Sequence, residues 1–209
     1  MRLRIDDRRQ VLKLTHPRGV RPAAALAWAA SQKGWIDEQL GKLLPARPLV
    51  PGAKIPFNGR EVELRWSPDA PRTPVWAGNE LRCGGSESGF PRRIELYLKR
   101  LALETLSRET AEFADLAGLR AVAVGIGDAR TRWGSCSSSG RIRYNWRLIL
   151  APPEARRYVA AHEVAHLKHL NHGREFKALE RALFGGDTAD AQALLREAGP
   201  LIRRIGAIG

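Results

Sequence analysis

Residues 158–172 read YVAAHEVAHLKHLNH, and the first half of this stretch sets three polar residues among small and apolar ones. A helix that is apolar around most of its surface is typical of a protein core. The proline pair Pro152-Pro153 stands just before it, where proline favours the first turn of a helix. We therefore predict a buried helix that runs from these prolines to at least His169. Unpaired buried polar groups cost free energy, so we expect a shared binding partner or function to account for the histidines and the glutamate in this helix.

The polar residues of this helix form an HExxH pattern, His162-Glu163-Val164-Ala165-His166. Residues four apart share one helix face, so both imidazoles can reach one ion. Zn²⁺ accepts neutral nitrogen ligands in a tetrahedral site, and a catalytic zinc keeps one position for water. Glu163 follows the first histidine directly and can take the proton of that water. The pattern predicts a Zn²⁺-dependent hydrolase with His162 and His166 as metal ligands and Glu163 as the catalytic residue.

A catalytic zinc site of this kind needs a third protein ligand, and two histidines follow closely. His169 lies on the same helix face, but at a rise of about 1.5 Å per residue it is roughly 7–8 Å beyond the ion along the axis. His172 can return to the ion if the helix ends near residues 170–171, since asparagine tolerates the left-handed conformation that closes helices. We predict His172 as the third ligand and His169 as a residue behind the ligands or facing the substrate. Two weaker carboxylate candidates follow: Glu175 and Glu180.

Hydrophobic periodicity predicts the other elements of the C-terminal half. Apolar residues at helical spacing favour a long helix over residues 94–116, and alternation favours a strand over residues 120–126. Two short strands, residues 132–135 and 141–145, are expected to pair across a serine-rich turn. Two more helices are predicted over residues 174–184 and 187–198.

The N-terminal half is richer in strand signals. Alternation over residues 2–14 favours a hairpin, and a helical pattern follows over residues 22–44. Asn58-Gly59 between two alternating segments is the strongest short-range hairpin signal. Glycines and serines over residues 84–89 are typical of a linker. We therefore predict an α+β protein with a β-rich N-terminal subdomain carrying one helix, residues 1–88, and a second domain, residues 89–209.

Composition limits the classes of protein to consider. The 209 residues carry a formal net charge of +13, which favours nucleic acid, nucleotide phosphates or acidic surfaces as partners, unless the positive charge is only a solvated surface. Two distant cysteines, Cys83 and Cys136, favour a reducing compartment. The N-terminus does not read as a signal peptide, and no apolar run is long enough to cross a bilayer. We expect a cytoplasmic protein without a membrane partner.

Three stretches together resemble one family, the YgjP-like metallopeptidases, which are relatives of the WLM and SprT-like zinc proteins. The dense similarity covers about residues 120–180. Its first stretch is Arg-Trp-Gly-Ser-Cys at 132–136, followed by Asn-Trp-Arg-Leu at 145–148. Its second is Leu-Ala-Pro-Pro at 150–153, and its third is the run from His162 through His172 to Phe176.

The resemblance implies a zincin-like fold, in which a small β-sheet packs on an active-site helix and three histidines bind zinc. It places the strand at residues 132–136 near the cleft, where an edge strand can pair with an extended peptide. Trp133 would then line the substrate pocket, although core packing accounts for it equally well. The substrate implied is a peptide or a protein.

Two other functions stay open. Some proteins of the family are described as nucleotide pyrophosphatases acting on UTP, and a net charge of +13 suits a nucleoside triphosphate. SprT-like relatives act on proteins bound to DNA, so the alternative to an enzyme is a nucleic-acid-associated protein whose metal is structural. Salt-dependent DNA binding without turnover would favour that alternative.

Overall fold

A computed structural model describes residues 1–6, 11–41, 45–120 and 122–206. Its strands, in chain order, are β1 (Arg2–Asp6), β2 (Val11–Thr15), β3 (Lys54–Phe57), β4 (Arg60–Trp66), β5 (Val75–Ala77), β6 (Glu80–Cys83), β7 (Val124–Gly127), β8 (Gly134–Cys136) and β9 (Ile142–Asn145). Its helices are α1 (Pro22–Ser31), α2 (Lys33–Gly41), α3 (Phe90–Leu116), α4 (Pro153–Ala165), α5 (Arg174–Phe184) and α6 (Ala189–Ile202). The chain is thus of mixed α+β class, as predicted.

The C-terminal half is built from a three-stranded sheet and four helices. The strand order is β7-β9-β8, with β9 parallel to β7 and antiparallel to β8. Tyr144 and Ile142 of β9 point from one face of this sheet into the core. Helix α4 packs against β8, α3, α5 and α6. This packing confirms the predicted pair of short strands and places the HExxH helix in the middle of the half.

The N-terminal half contributes two sheets. Strands β1 and β2 pair antiparallel as predicted, although the turn between them lies outside the described residues. Strands β3, β4, β6 and β5 form a second sheet in that order. Its first hairpin turns at Asn58 and Gly59, whose φ angles are 48° and 73°. Both values lie in the left-handed region that a two-residue hairpin turn requires, which confirms the Asn-Gly prediction.

One hydrophobic core connects the two halves. The inner face of the four-stranded sheet packs with the N-terminal part of α3 and with the 3₁₀ turn at Trp146–Leu150. The N-terminal half supplies six buried residues to this core: Leu49, Ile55, Val62, Leu64, Leu81 and Cys83. The boundary between residues 88 and 89 therefore crosses a shared core, and the division into two domains stays a prediction.

Four buried polar side chains of α3, α4 and β9 form two hydrogen-bonded pairs in this core. The Arg156 guanidinium of α4 donates to both oxygens of Glu109 on α3, with N–O distances of 2.8–3.2 Å. Both side chains are buried. The hydroxyls of Tyr144 and Thr110 are 2.9 Å apart. These contacts fix α3 against α4 and against the sheet.

Several element boundaries differ from the expectation. The HExxH helix ends at Ala165, earlier than the predicted His169, because the amides of Leu167 and Lys168 bond three residues back and tighten the last turn. The segment over residues 22–44 breaks at Gln32 into α1 and α2, and residues 42–44 lie outside the description. None of the helices in the described ranges is both long and apolar enough to span a lipid bilayer.

Candidate active site

Three imidazoles converge at the C-terminal end of α4. His162 and His166 come from the last turn and C-cap of the helix, and His172 comes from the segment that leads into α5. Their possible ligand atoms all lie within 4.8 Å of one another. His162 and His166 are partly buried, whereas His172 is exposed. The chain turns back after α4, and this turn brings the third imidazole to the other two.

Hydrogen bonds hold two of these rings in one tautomer. The Nδ1 of His162 lies 2.6 Å from a carboxylate oxygen of Glu180 on α5, and the Nδ1 of His166 lies 3.0 Å from the carbonyl oxygen of His169. Because a carboxylate and a carbonyl oxygen accept hydrogen bonds, these contacts favour the tautomer of each neutral ring that has its proton on Nδ1 and its lone pair on Nε2. Such a partner orients a metal-binding histidine and raises its basicity.

The donor set fits a zinc ion. Zinc binds neutral imidazole nitrogens at about 2.0–2.1 Å, so two nitrogens of a tetrahedral site lie roughly 3.3–3.4 Å apart. The Nε2 atoms of His162 and His172 are 3.3 Å apart. Burial and the neighbouring imidazoles lower the pKa of His166, which favours the neutral form that binds metal. Three neutral nitrogens leave the fourth position of a tetrahedral site to another ligand.

Glu163 directly follows His162 in α4, and its side chain packs against Gly134 of β8. Its side chain is buried, and within the described part of the chain no group donates to its Oε2. Burial raises the pKa of Glu163 to about 7, and the positive charge of Arg132 opposes that rise. A carboxylate whose pKa lies near neutrality is suited to accept and return a proton at physiological pH.

The tight fit between Glu163 and β8 depends on a glycine. A Cβ at Gly134 would lie 2.3 Å from Oε1 and 2.6 Å from Cγ of Glu163. Strand β8 is an edge strand of its sheet. The carbonyl of Trp133 and the amide of Ser137 bond to the β9 side, so by alternation the backbone groups of Gly134 and Cys136 face the free edge. This edge lies beside Glu163.

Two other predicted site residues lie outside the imidazole cluster. The His169 ring does not join the three histidines, and its Nδ1 lies 3.6 Å from the carboxylate of Glu175. The residue acts on the site through its carbonyl group instead. Trp133 is partly buried, with the guanidinium of Arg203 lying 3.9 Å from its ring centroid. Gly199 of α6 also packs on this ring, so Trp133 anchors the C-terminal helix to β8.

The network behind His162 extends further than the sequence indicated. Glu180 was a weaker candidate for a metal ligand, whereas its buried carboxylate holds the back of the His162 ring. Burial and the nearby negative charge of Glu180 raise the pKa of Tyr158, whose hydroxyl accepts a bond of 3.1 Å from Gln192. Helical spacing gives a partial signal, because Tyr158 and His162 are four residues apart on α4. The contacts to α5 and α6 have no such local signal.

Most of the chain matches the profile of one known protein family. The profile of the YgjP-like metallopeptidase domain matches residues 1–198. No curated protein is significantly similar to the chain. Among solved structures, the metallopeptidase zymogen abylysin of Pyrococcus abyssi is 24% identical, with a TM-score of 0.39. That similarity covers 47% of this chain and 94% of the abylysin chain.

The family match includes both the imidazole cluster and the whole of the N-terminal half. Metal-dependent peptide hydrolysis is the activity of the domain, and the structure supplies a set of nitrogen donors that can hold its metal. The chain belongs to the YgjP-like metallopeptidases and is a metallopeptidase-type hydrolase.

Proposed function

We propose that this protein hydrolyses peptide bonds with a zinc ion held by His162, His166 and His172, and with Glu163 as general base and general acid. One observation supports this most directly. Three imidazoles with shared access to one ion are accompanied by Glu163, the residue directly after His162, and within the described residues its buried carboxylate lacks a hydrogen-bond donor on one oxygen. A purely structural metal site has no need of that carboxylate.

The edge of β8 is the proposed place for the substrate. An extended peptide can pair with the outward backbone groups of Gly134 and Cys136 and so pass beside Glu163. The Cβ position of Gly134 shows how close the strand and this carboxylate lie. The pairing would hold the scissile bond in register with the metal site.

Glu163 would transfer the protons of the reaction as general base and then as general acid. A zinc ion bound here would lower the pKa of a coordinated water and polarise the scissile carbonyl. Glu163 accepts a proton from the attacking water and then donates it to the leaving amine. Its raised pKa suits both transfers. Glu180 and the His169 carbonyl keep the ligand rings in the tautomer that presents Nε2.

The first test separates metal binding from turnover. Glu163→Gln is expected to keep the zinc content of the wild type and to lose at least ~10²-fold of the activity on a fluorescent casein, because proton transfer is removed. His172→Ala is expected to lose both zinc and activity. Zinc content is measured by elemental analysis on the same preparations.

His169→Ala is the matched control, because it removes an imidazole outside the cluster and keeps the carbonyl that bonds to His166. It should retain zinc. An active Glu163→Gln variant, or a His172→Ala variant that keeps its metal, would contradict the proposal. Pyrophosphate release from UTP, measured in parallel, tests the nucleotide alternative on the same proteins.

A further inference from the structure

A groove on the side of the N-terminal sheet combines arginines with aromatic rings. Its cavity of about 330 Å³ lies between the segment before β5 and the first turns of α3. We call it the arginine groove, and its lining residues are Arg72, Thr73, Pro74, Arg93, Leu96, Tyr97 and Arg100. The metal-site histidines and Glu163 do not line it, and the proposed peptide hydrolysis does not use it.

Three aromatic rings form a series that reaches the groove through Tyr97, the member of the series that lines the cavity. The rings of Phe57 and Trp76 have centroids 4.5 Å apart, and those of Trp76 and Tyr97 are 6.4 Å apart. Trp76 is 38% exposed, which is high for a tryptophan in a packed series. The Arg100 guanidinium carbon lies 5.6 Å from the Tyr97 centroid, in cation–π range. The Tyr97 ring therefore lies between the exposed indole of Trp76 and the positive charge of Arg100.

The charge of the groove is of one sign. Three arginines line it, and no carboxylate does. Arg93 is engaged, since its guanidinium donates to the carbonyl of Ser86 and to the sulfur of Cys83. Within the described residues, Arg72 and Arg100 form no ion pair of 4.0 Å or less. An anion entering the groove would therefore meet two uncompensated guanidinium groups.

The groove is well separated from the metal site. Tyr97 lies in the second turn of α3, whereas Ala117, just after the end of α3, accepts a bond from Lys168 beside the histidine cluster. At a rise of about 1.5 Å per residue, the two points lie roughly 30 Å apart along the helix. A ligand of the groove would leave the cleft free.

We propose that the arginine groove binds single-stranded nucleic acid. Proteins that bind single strands combine aromatic side chains, on which bases stack, with positive charges that follow the phosphates. Trp76 and Tyr97 supply the first component, and Arg72 and Arg100 supply the second. In a duplex the bases are stacked on each other and cannot reach these rings, so the geometry favours a single strand over a double helix. The net charge of +13 assists the approach.

The test is fluorescence anisotropy with a labelled oligothymidylate, using the full chain. Trp76→Leu keeps apolar bulk against Phe57 but removes the indole face, and it is expected to weaken binding ~10-fold, the loss of one stacked base. Arg72→Ala combined with Arg100→Ala is expected to weaken binding and to lower the salt slope by about one per arginine removed. Melting temperatures of the variants show whether each one is folded.

Arg181→Ala on α5 is the charge-matched control, because Arg181 is exposed and distant from the groove in sequence. It should bind oligothymidylate nearly as the wild type does, and a duplex of equal length should bind more weakly. The proposal is overturned if a folded Trp76→Leu variant binds like the wild type, or if duplex and single strand bind alike. It is also overturned if Arg181→Ala weakens binding as much, per arginine removed, as the variant that combines Arg72→Ala with Arg100→Ala. Peptidase activity plays no part in this readout, so the proposed function can fail independently.

Discussion

Burial of Glu163, the proposed general base, also affects the stability of the fold. Its pKa rises from 4.5 to about 7 on burial, so in the metal-free protein the folded chain retains a proton that the unfolded chain has released. The contribution of Glu163 to the free energy of unfolding is therefore largest below pH ~4.5, and it decreases as the pH rises towards ~7. Above pH ~7, the shift between the two pKa values therefore lowers the free energy of unfolding by ~3 kcal/mol relative to its value below pH ~4.5.

We predict that Glu163→Gln removes this pH dependence. Chelator-treated wild type and variant should have similar free energies of unfolding at pH 5, and the variant should be the more stable one at pH 8. Urea unfolding at both pH values measures this, and the comparison cancels the titration of the histidines. An equal stability difference between the two proteins at both pH values would refute the predicted pKa.

Gly134 is predicted to be needed for activity because of its contact with Glu163. In Gly134→Ala the new methyl group would overlap the carboxylate, with 2.3 Å to Oε1, and must displace it. We expect a loss of ~10²-fold in kcat with zinc content unchanged, since none of the ligands moves. Gly125→Ala on β7 is the control, because its Cβ would meet nothing within 4 Å. Reduced zinc in Gly134→Ala would point to misfolding instead.

Residue spacing predicted one part of the site and missed another. His162, His166 and His172 come together because they lie on one helix turn and the bend that follows it, and this geometry is local. Glu180 and Gly134 contact the site only after α5 and β8 dock on α4. These contacts join elements that are distant in sequence, and no short-range sequence pattern predicts them. The roles of these residues in metal binding and catalysis stay predictions.

At the scale of elements, a buried ion pair between Arg156 and Glu109 connects α4 with α3. Arg156→Met leaves the Glu109 carboxylate buried without its partner, so we predict a loss of ~3–5 kcal/mol in the free energy of unfolding. Arg157→Met, next in sequence, breaks an ion pair with Glu112 whose side chains are each 40% exposed, and it should cost less than ~1 kcal/mol. Urea denaturation of both variants measures the contrast. Equal losses would mean that burial does not set the value of these pairs.

Element prediction succeeded where the signal was strong and local. Asn58-Gly59 specified its hairpin, and apolar periodicity specified α3 and α5. The end of α4 was misplaced because HLKHL continues a helical pattern, whereas the His166 ring bonds to the His169 carbonyl and stabilises a tight turn. Leu26 contributes to the apolar pattern over residues 22–44 and is nevertheless 64% exposed, so periodicity alone does not show which residues of α1 are covered.

At the scale of the whole molecule, the shared core implies that the two halves fold together. Phe90, Ile94 and Leu98 of α3 are completely buried and belong to the same core cluster as Leu64 and Leu81 of the N-terminal sheet. We predict that residues 89–209 alone unfold without cooperativity and bind a hydrophobic dye, because that face of α3 becomes exposed. Circular dichroism and dye fluorescence test this against the full chain. A sharp thermal transition of the fragment would support the division at residue 88.

The overall arrangement could be predicted only coarsely from the sequence. The α+β class followed from alternating strand and helix signals, and the sheet order did not. The pairs β4–β6 and β7–β9 are parallel, so no hairpin turn connects their strands. No turn motif in the sequence therefore predicts these pairings. The glycines at 84–89 were predicted as a linker, yet Gly84 is packed against the backbone of Ala70.

The brevity of β8 has a consequence for selectivity under the proposed function. Three residues offer the outward backbone groups of only two, and each hydrogen bond to a peptide contributes ~0.5–1.5 kcal/mol. A micromolar complex requires ~8 kcal/mol, so this edge cannot retain a target unaided. We expect a cleft that accepts diverse unfolded segments and releases them quickly. Choice among targets then depends on whatever tethers the substrate elsewhere on the surface.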